Sequence, residues 1–168
     1  MRTQLAFLVS IVLGFLAWGL VTARYIWPAL RARSGPERFR PILVLHCFRF
    51  VGLSFLVPGV VSPELPAAFA QPAAYGDLIA CLLALASLAV LRTRIAPAAL
   101  WVFNLWGTAD LLFAYYQGVV GAPLRADQLG AGYFIPTALV PLLLITHGLV
   151  FWMLLSQTSR ARPGPGLP

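Results

Sequence analysis

The sequence contains no lysine; all twelve of its basic residues are arginine. Charge of any kind is scarce, at 10% of residues, where a soluble domain carries about 25%. Too little polar surface is left to coat a water-soluble globule. The formal charge of +7 does not point to nucleic acid, because that reading needs the arginines gathered on one surface, and they fall between apolar spans instead. Cysteine occurs only as Cys47 and Cys81, with no CxxC or other metal-type spacing. Each lies early in its span, which in an antiparallel pair means opposite depths, so no disulfide is expected. The signatures G-x-S-x-G, Walker loop and H-E-x-x-H are absent as well. Nothing marks a nucleophile with its base, and no enzymatic activity is expected.

Apolar residues fill the chain: 60% are hydrophobic and the mean hydropathy is +0.85. This defines an integral membrane protein with the lipid bilayer as its first partner. Five segments are long enough to cross a hydrocarbon core of about 30 Å as helices: about 4–27, 41–61, 74–92, 97–118 and 132–155. Pro28 is read as ending the first, Pro41 as opening the second and Pro97 as opening the fourth. The expected fold is all-α, a five-helix transmembrane bundle forming one domain over 1–157, with a disordered cytoplasmic tail over 158–168.

Arginine orients the bundle. Arg24, Arg31, Arg33, Arg38 and Arg40 mark the first connection, Arg92 and Arg94 the third, and Arg160 and Arg162 the tail. The second and fourth connections hold only Arg125, set against Glu64 and Asp127. Basic residues on alternate connections put the N-terminus outside and the C-terminus in the cytoplasm. A cleaved signal peptide is the rival reading of the first segment. Its apolar run from Leu5 to Ala23 exceeds the usual core of about 7–15 residues, and cleavage would leave the most basic connection outside.

Six polar residues lie within the spans: His46, Arg49, Asp77, Asn104, Asp110 and His147. An arginine at the centre of a span costs about 2.5–3.5 kcal/mol, so it should face protein or water and find a partner. At 1.5 Å rise per residue, His46 lies roughly 8 Å from the cytoplasmic boundary, and Arg49, Asn104 and His147 at roughly 10–12 Å. Asp110 comes at roughly 20 Å, and Asp77 within about 5 Å of the outer surface. His46, Arg49 and Leu53 share one face of the second span; Asn104 and Asp110 stand about 120° apart on the fourth, with Gly107 between them; Pro136, Val140, His147 and Phe151 share a face of the fifth. An extended arginine reaches on the order of 7 Å, so the expected pair is Arg49–Asp110, directly or through Asn104 or a water. Asp77 is read as too far up to join. With Glu64 it belongs to an outer mouth, under the proline-rich "SPELPAAFAQPAAYGD" read as a cap. The plain alternative is an ion pair that only fixes helix register.

The segments "LHCFRFVG", "ELPAAFAQPAAYGD", "FNLWGTAD" and "IPTALVP" followed by His147 together resemble a set of small uncharacterised bacterial integral membrane proteins, over Pro41 to about Phe151. The resemblance implies a helical bundle of the bacterial inner (cytoplasmic) membrane, and it carries no activity or ligand. From the residues themselves, the expected function is non-enzymatic binding or permeation of a small anionic or amphipathic ligand, or of a proton, at His46, Arg49, Asn104, Asp110 and His147. One alternative is an accessory or scaffold subunit of a larger membrane complex; the chain also suits a homo-oligomer. The other is a redox subunit holding b-type haem or quinone at His46 and His147. No other cofactor or metal is expected.

Overall fold

A computed structural model describes residues 2–121 and 124–160, and the side chains of all of these but 157–160. The tail over 161–168, with Arg162, lies outside the described residues. The described residues are mostly helical, with no strand among them. Among the described residues, three helices are long and apolar enough to cross a membrane: Arg2–Arg31, Ala67–Ala89 and Ile135–Ser156.

The first of these is a rod of two α-helices, α1 (Arg2–Val21) and α2 (Trp27–Arg31), joined by the wide turn Thr22–Ile26, in which the Trp27 N–H bonds back to the Thr22 carbonyl. Pro28 therefore does not end the helix. It sits in the first turn of α2, where its missing N–H is least costly.

After a short loop, α3 (Arg40–His46) passes directly into the tighter 3₁₀ helix Cys47–Leu56. These residues replace the expected 41–61. A 3₁₀ helix rises about 2.0 Å per residue, so this shorter stretch still covers roughly 30 Å. The tighter winding also resets the faces. Side chains at i and i+3 eclipse in a 3₁₀ helix, and the buried positions are Arg49, Gly52 and Phe55. Leu53, expected beside Arg49, is only half-buried.

Helix α4 (Ala67–Ala89) starts a full two turns before the expected 74 and carries Pro72 inside it. Proline there leaves the carbonyl four residues back, that of Ala68, without a helical partner. The Gln117 side chain donates to that oxygen at 3.3 Å. From Ala67 onward the stretch read as a cap is thus helix, and Asp77 lies well inside α4. Helix α5 (Ala96–Tyr116) agrees with the expected fourth span and continues into the wide turn Gln117–Gly121. A short 3₁₀ segment, Ala126–Tyr133, and a further wide turn, Ile135–Leu139, lead into α6 (Val140–Arg160).

Two apolar cores lie one above the other. Phe55, Phe69, Ala74, Leu111, Val140 and Leu143 belong to one; Ile42, Leu43, Ala84, Leu100, Val150 and Met153 belong to the other. Along each element the order is the same or reversed, and the buried polar residues fall between the two sets: Arg49 between Leu43 and Phe55, Asp77 between Ala74 and Ala84, Asn104 between Leu100 and Leu111, His147 between Leu143 and Val150. One polar layer therefore separates two apolar cores. The arginine-rich connections meet beneath the second core, where Glu37 bridges Arg40 at 2.6 Å and Arg92 at 2.9 Å.

Candidate functional site

Arg49 is the centre of the polar layer. Its side chain is 0% exposed, and four of its five N–H groups are used. Nε donates to Asp77 Oδ1 at 2.7 Å, and Nη2 to Asp110 Oδ2 at 2.5 Å. Nη1 donates to the Gly107 carbonyl at 3.1 Å and faces His147 Nε2 at 3.4 Å. The structure pairs Arg49 with Asp110 as the axial spacing predicts. It also brings in Asp77, which the sequence reading placed too far up. The helix that holds Asp77 begins at Ala67 rather than at 74, which brings Asp77 to the level of Arg49.

The histidines complete the layer. His147 Nδ1 lies 2.7 Å from Asn104 Oδ1. Oδ1 only accepts, so Nδ1 carries the proton and Nε2 presents its lone pair to Arg49. His46 Nε2 lies 2.9 Å from Thr146 Oγ1, and that hydroxyl is within 3.0 Å of the Leu142 and Leu143 carbonyls. The threonine proton goes to the helix backbone, so His46 donates and Thr146 is not an activated nucleophile. His46 Nδ1 and Asn104 Nδ2 are buried with no partner.

Three glycines make the room. A Cβ on Gly52 would overlap the Asp77 carboxylate, one on Gly76 the Asp110 carboxylate, and one on Gly107 the His147 ring and Arg49 Nη1. Gly52, Gly76 and Thr146 are site residues that the sequence reading does not single out. The available signal was spacing: Gly52 is three residues from Arg49, Gly76 adjoins Asp77, and Gly107 is three from both Asn104 and Asp110.

Not every expected residue joins. Glu64 is exposed in the loop before α4, and its backbone carbonyl receives the Gln128 side chain at 3.1 Å. The outer mouth pairing Glu64 with Asp77 is not formed, because Asp77 is 6% exposed and held by Arg49. The cysteines are not at opposite depths: the Cys81 thiol donates to the Cys47 carbonyl at 3.0 Å. Both are free.

Haem does not fit the histidines. Their ring centroids are 4.3 Å apart, too close for a macrocycle between them. His46 Nε2 is spent on Thr146, and both His147 nitrogens face partners. Among the described residues, no group of three or more His, Cys, Asp or Glu is placed to hold a metal ion.

Above the layer lies a cavity of about 260 Å³. Its walls include Phe7, Phe69, Leu111, Ala114 and Tyr115, and Asp77 and Asp110 form its polar end. Leu8 and Val119, 52% and 69% exposed, stand on its rim. Pro141 has no N–H to return to the wide turn before it, and Tyr115 Oη instead donates to the Pro136 carbonyl at 3.0 Å, fixing the cavity wall. Two carboxylates against one guanidinium leave the floor with an excess acid. On the other side of the layer, the second apolar core closes the bundle.

Residues 6–155 match the family described as Domain of unknown function (DUF8737), and the chain belongs to that family. No curated protein matches it. No solved structure matches it.

Proposed function

We propose that this chain is a five-span protein of the bacterial inner membrane, N-terminus outside and C-terminus in the cytoplasm, that binds a small amphipathic ligand in the cavity above Arg49. The single observation that carries this is the cavity itself: an apolar space of about 260 Å³ that ends on the Asp77 and Asp110 carboxylates. Concave apolar sites with a few convergent polar groups are where small ligands bind. The ligand's head is a hydrogen-bond donor, a cation or a proton rather than an anion, because both acids already cover the guanidinium on the cavity side. Binding is favoured over permeation. Below the polar layer, Ile42, Leu43, Leu100, Phe103 and Met153 are all 3% exposed or less, which leaves no polar route onward.

The membrane reading draws support from α1, whose outward face exposes Leu5, Val12, Leu13, Leu16 and Leu20, and from the roughly 30 Å rise of residues 40–56. The same α1 face would serve a partner helix. A stoichiometric co-purifying polypeptide would move the reading to an accessory subunit.

The test is fluorescence titration of purified protein in detergent with aminoanthracene, a small apolar amine. Saturable one-to-one binding is expected, abolished by Ala114→Phe, which fills the cavity, and weakened by Asp110→Leu. Binding that is unchanged in both variants while the fold survives would end this reading.

A further inference from the structure

A second concavity opens at the arginine-rich end of the molecule, between α1 and α6. Higher up, α1 is pinned to the wide turn that leads into α6. Trp18 Nε1 donates to the Ala138 carbonyl at 2.8 Å, and a Cβ on Gly14 would overlap the Thr137 carbonyl. Five residues on, a Cβ at Gly19 would meet nothing within 4 Å, and the same holds for Gly148 on α6. Glycine usually lets helices approach closely; these two line a gap. The result is a cleft of about 670 Å³ lined by both glycines, Thr22, Trp27, Arg31 and Trp152.

The cleft has an apolar body and a basic lip. Trp27 and Trp152 meet edge to face at 4.6 Å, and the Arg31 guanidinium sits 5.8 Å from the Trp27 ring. Arg31 is exposed and faces no carboxylate among the described residues. The wide turn Thr22–Ile26 forms part of the wall; turns of this kind recur at functional sites. Thr22 is 7% exposed, and its hydroxyl has no partner. Charge at this end is one-sided. Arg24, Arg31, Arg33, Arg38, Arg40, Arg92 and Arg94 stand against Glu37 alone, and Glu37 is already shared by Arg40 and Arg92.

From this we infer that the α1–α6 cleft is a binding site for an anionic phospholipid, with an acyl chain between Gly19 and Gly148 and the headgroup phosphate at Arg31. The inference depends on the membrane reading and not on the ligand cavity, which lies at the other end of α1. Tryptophan at the headgroup level and arginine toward an anionic leaflet are the chemistry such a lipid meets.

The test is lipid retention by purified full-length protein, measured by native mass spectrometry after equilibration with equal phosphatidylglycerol and phosphatidylcholine in detergent. The wild type should retain phosphatidylglycerol over phosphatidylcholine. Arg31→Gln should cut that preference about fivefold, the worth of one basic group near an anionic surface. Gly148→Leu and, from the opposite wall, Gly19→Leu should displace the lipid, while aminoanthracene binding in the cavity is unchanged. Equal retention of the two lipids by wild type, or full retention by both leucine variants, would overturn the inference. So would a dimer lost in those variants, which would make a second copy the occupant.

Discussion

Removing the Arg49 guanidinium is the perturbation with the largest expected effect. Arg49→Met keeps much of the side chain's length and apolar stem but deletes the donors to Asp77, Gly107, Asp110 and His147. Two carboxylates then remain in the interior with no counter-charge. Breaking a buried pair by removing one partner costs about 3–5 kcal/mol, and here one cation serves two acids. Asp110 stands at the cavity with its side chain 10% exposed, so water can reach it and the loss should fall within that range rather than double it. Unfolding by a denaturing detergent in mixed micelles, followed by far-UV circular dichroism, gives the difference. The companion is Arg49→Met/Asp77→Asn/Asp110→Asn, in which no charge is left to bury. Replacing a whole ionic cluster is often neutral, so this triple variant should recover most of the loss. A cost below about 1 kcal/mol for Arg49→Met, or a triple variant no better than the single, would refute the reasoning.

Other outcomes follow from particular contacts. Gly52→Ala and Gly76→Ala drive a methyl into the Asp77 and Asp110 carboxylates and should each destabilise by about 1–3 kcal/mol in the same unfolding assay; Gly19→Ala, which meets nothing within 4 Å, should be neutral or stabilising. Gln117→Leu removes the donor to the Ala68 carbonyl and should cost about 1 kcal/mol, and Pro72→Ala in the same chain should restore it by supplying the helical N–H. Glu37 lies outside the spans, and hydrogen bonds from Arg40 and Arg92 hold its carboxyl down to about 2 from 4.5. Because the folded value is the lower one, the link is fully present above about pH 4.5 and is lost as pH falls through 2. A carbon-detected NMR titration should find that midpoint, and Arg40→Gln/Arg92→Gln should move it up toward 4.5.

The helical character and the Arg49–Asp110 pair were legible because both rest on composition and axial rise. Asp77 was not. The prolines before it read as loop, and only the Gln117 side chain, far away in sequence, makes a helix through Pro72 tolerable. The same misplaced boundary separated Cys81 from Cys47. The face shared by Arg49, Gly52 and Phe55 is hidden for another reason: the α-helical period of 3.6 does not hold where the chain winds with three residues per turn. The cavity above Arg49 has no local signature at all, since its walls come from α1, α4, α5 and the turn before α6. In the polar layer, sequence gave the residue types and tertiary packing decided which of them meet.

The most direct measurement is a density map of the full-length protein purified from the cells that make it. The expected result is Arg49 enclosed by Asp77 and Asp110, with a small molecule in the space between Phe69 and Tyr115 and its polar end within hydrogen-bond distance of one of the acids. A map in which side chains close that space, or in which the guanidinium points outward away from both carboxylates, would contradict it.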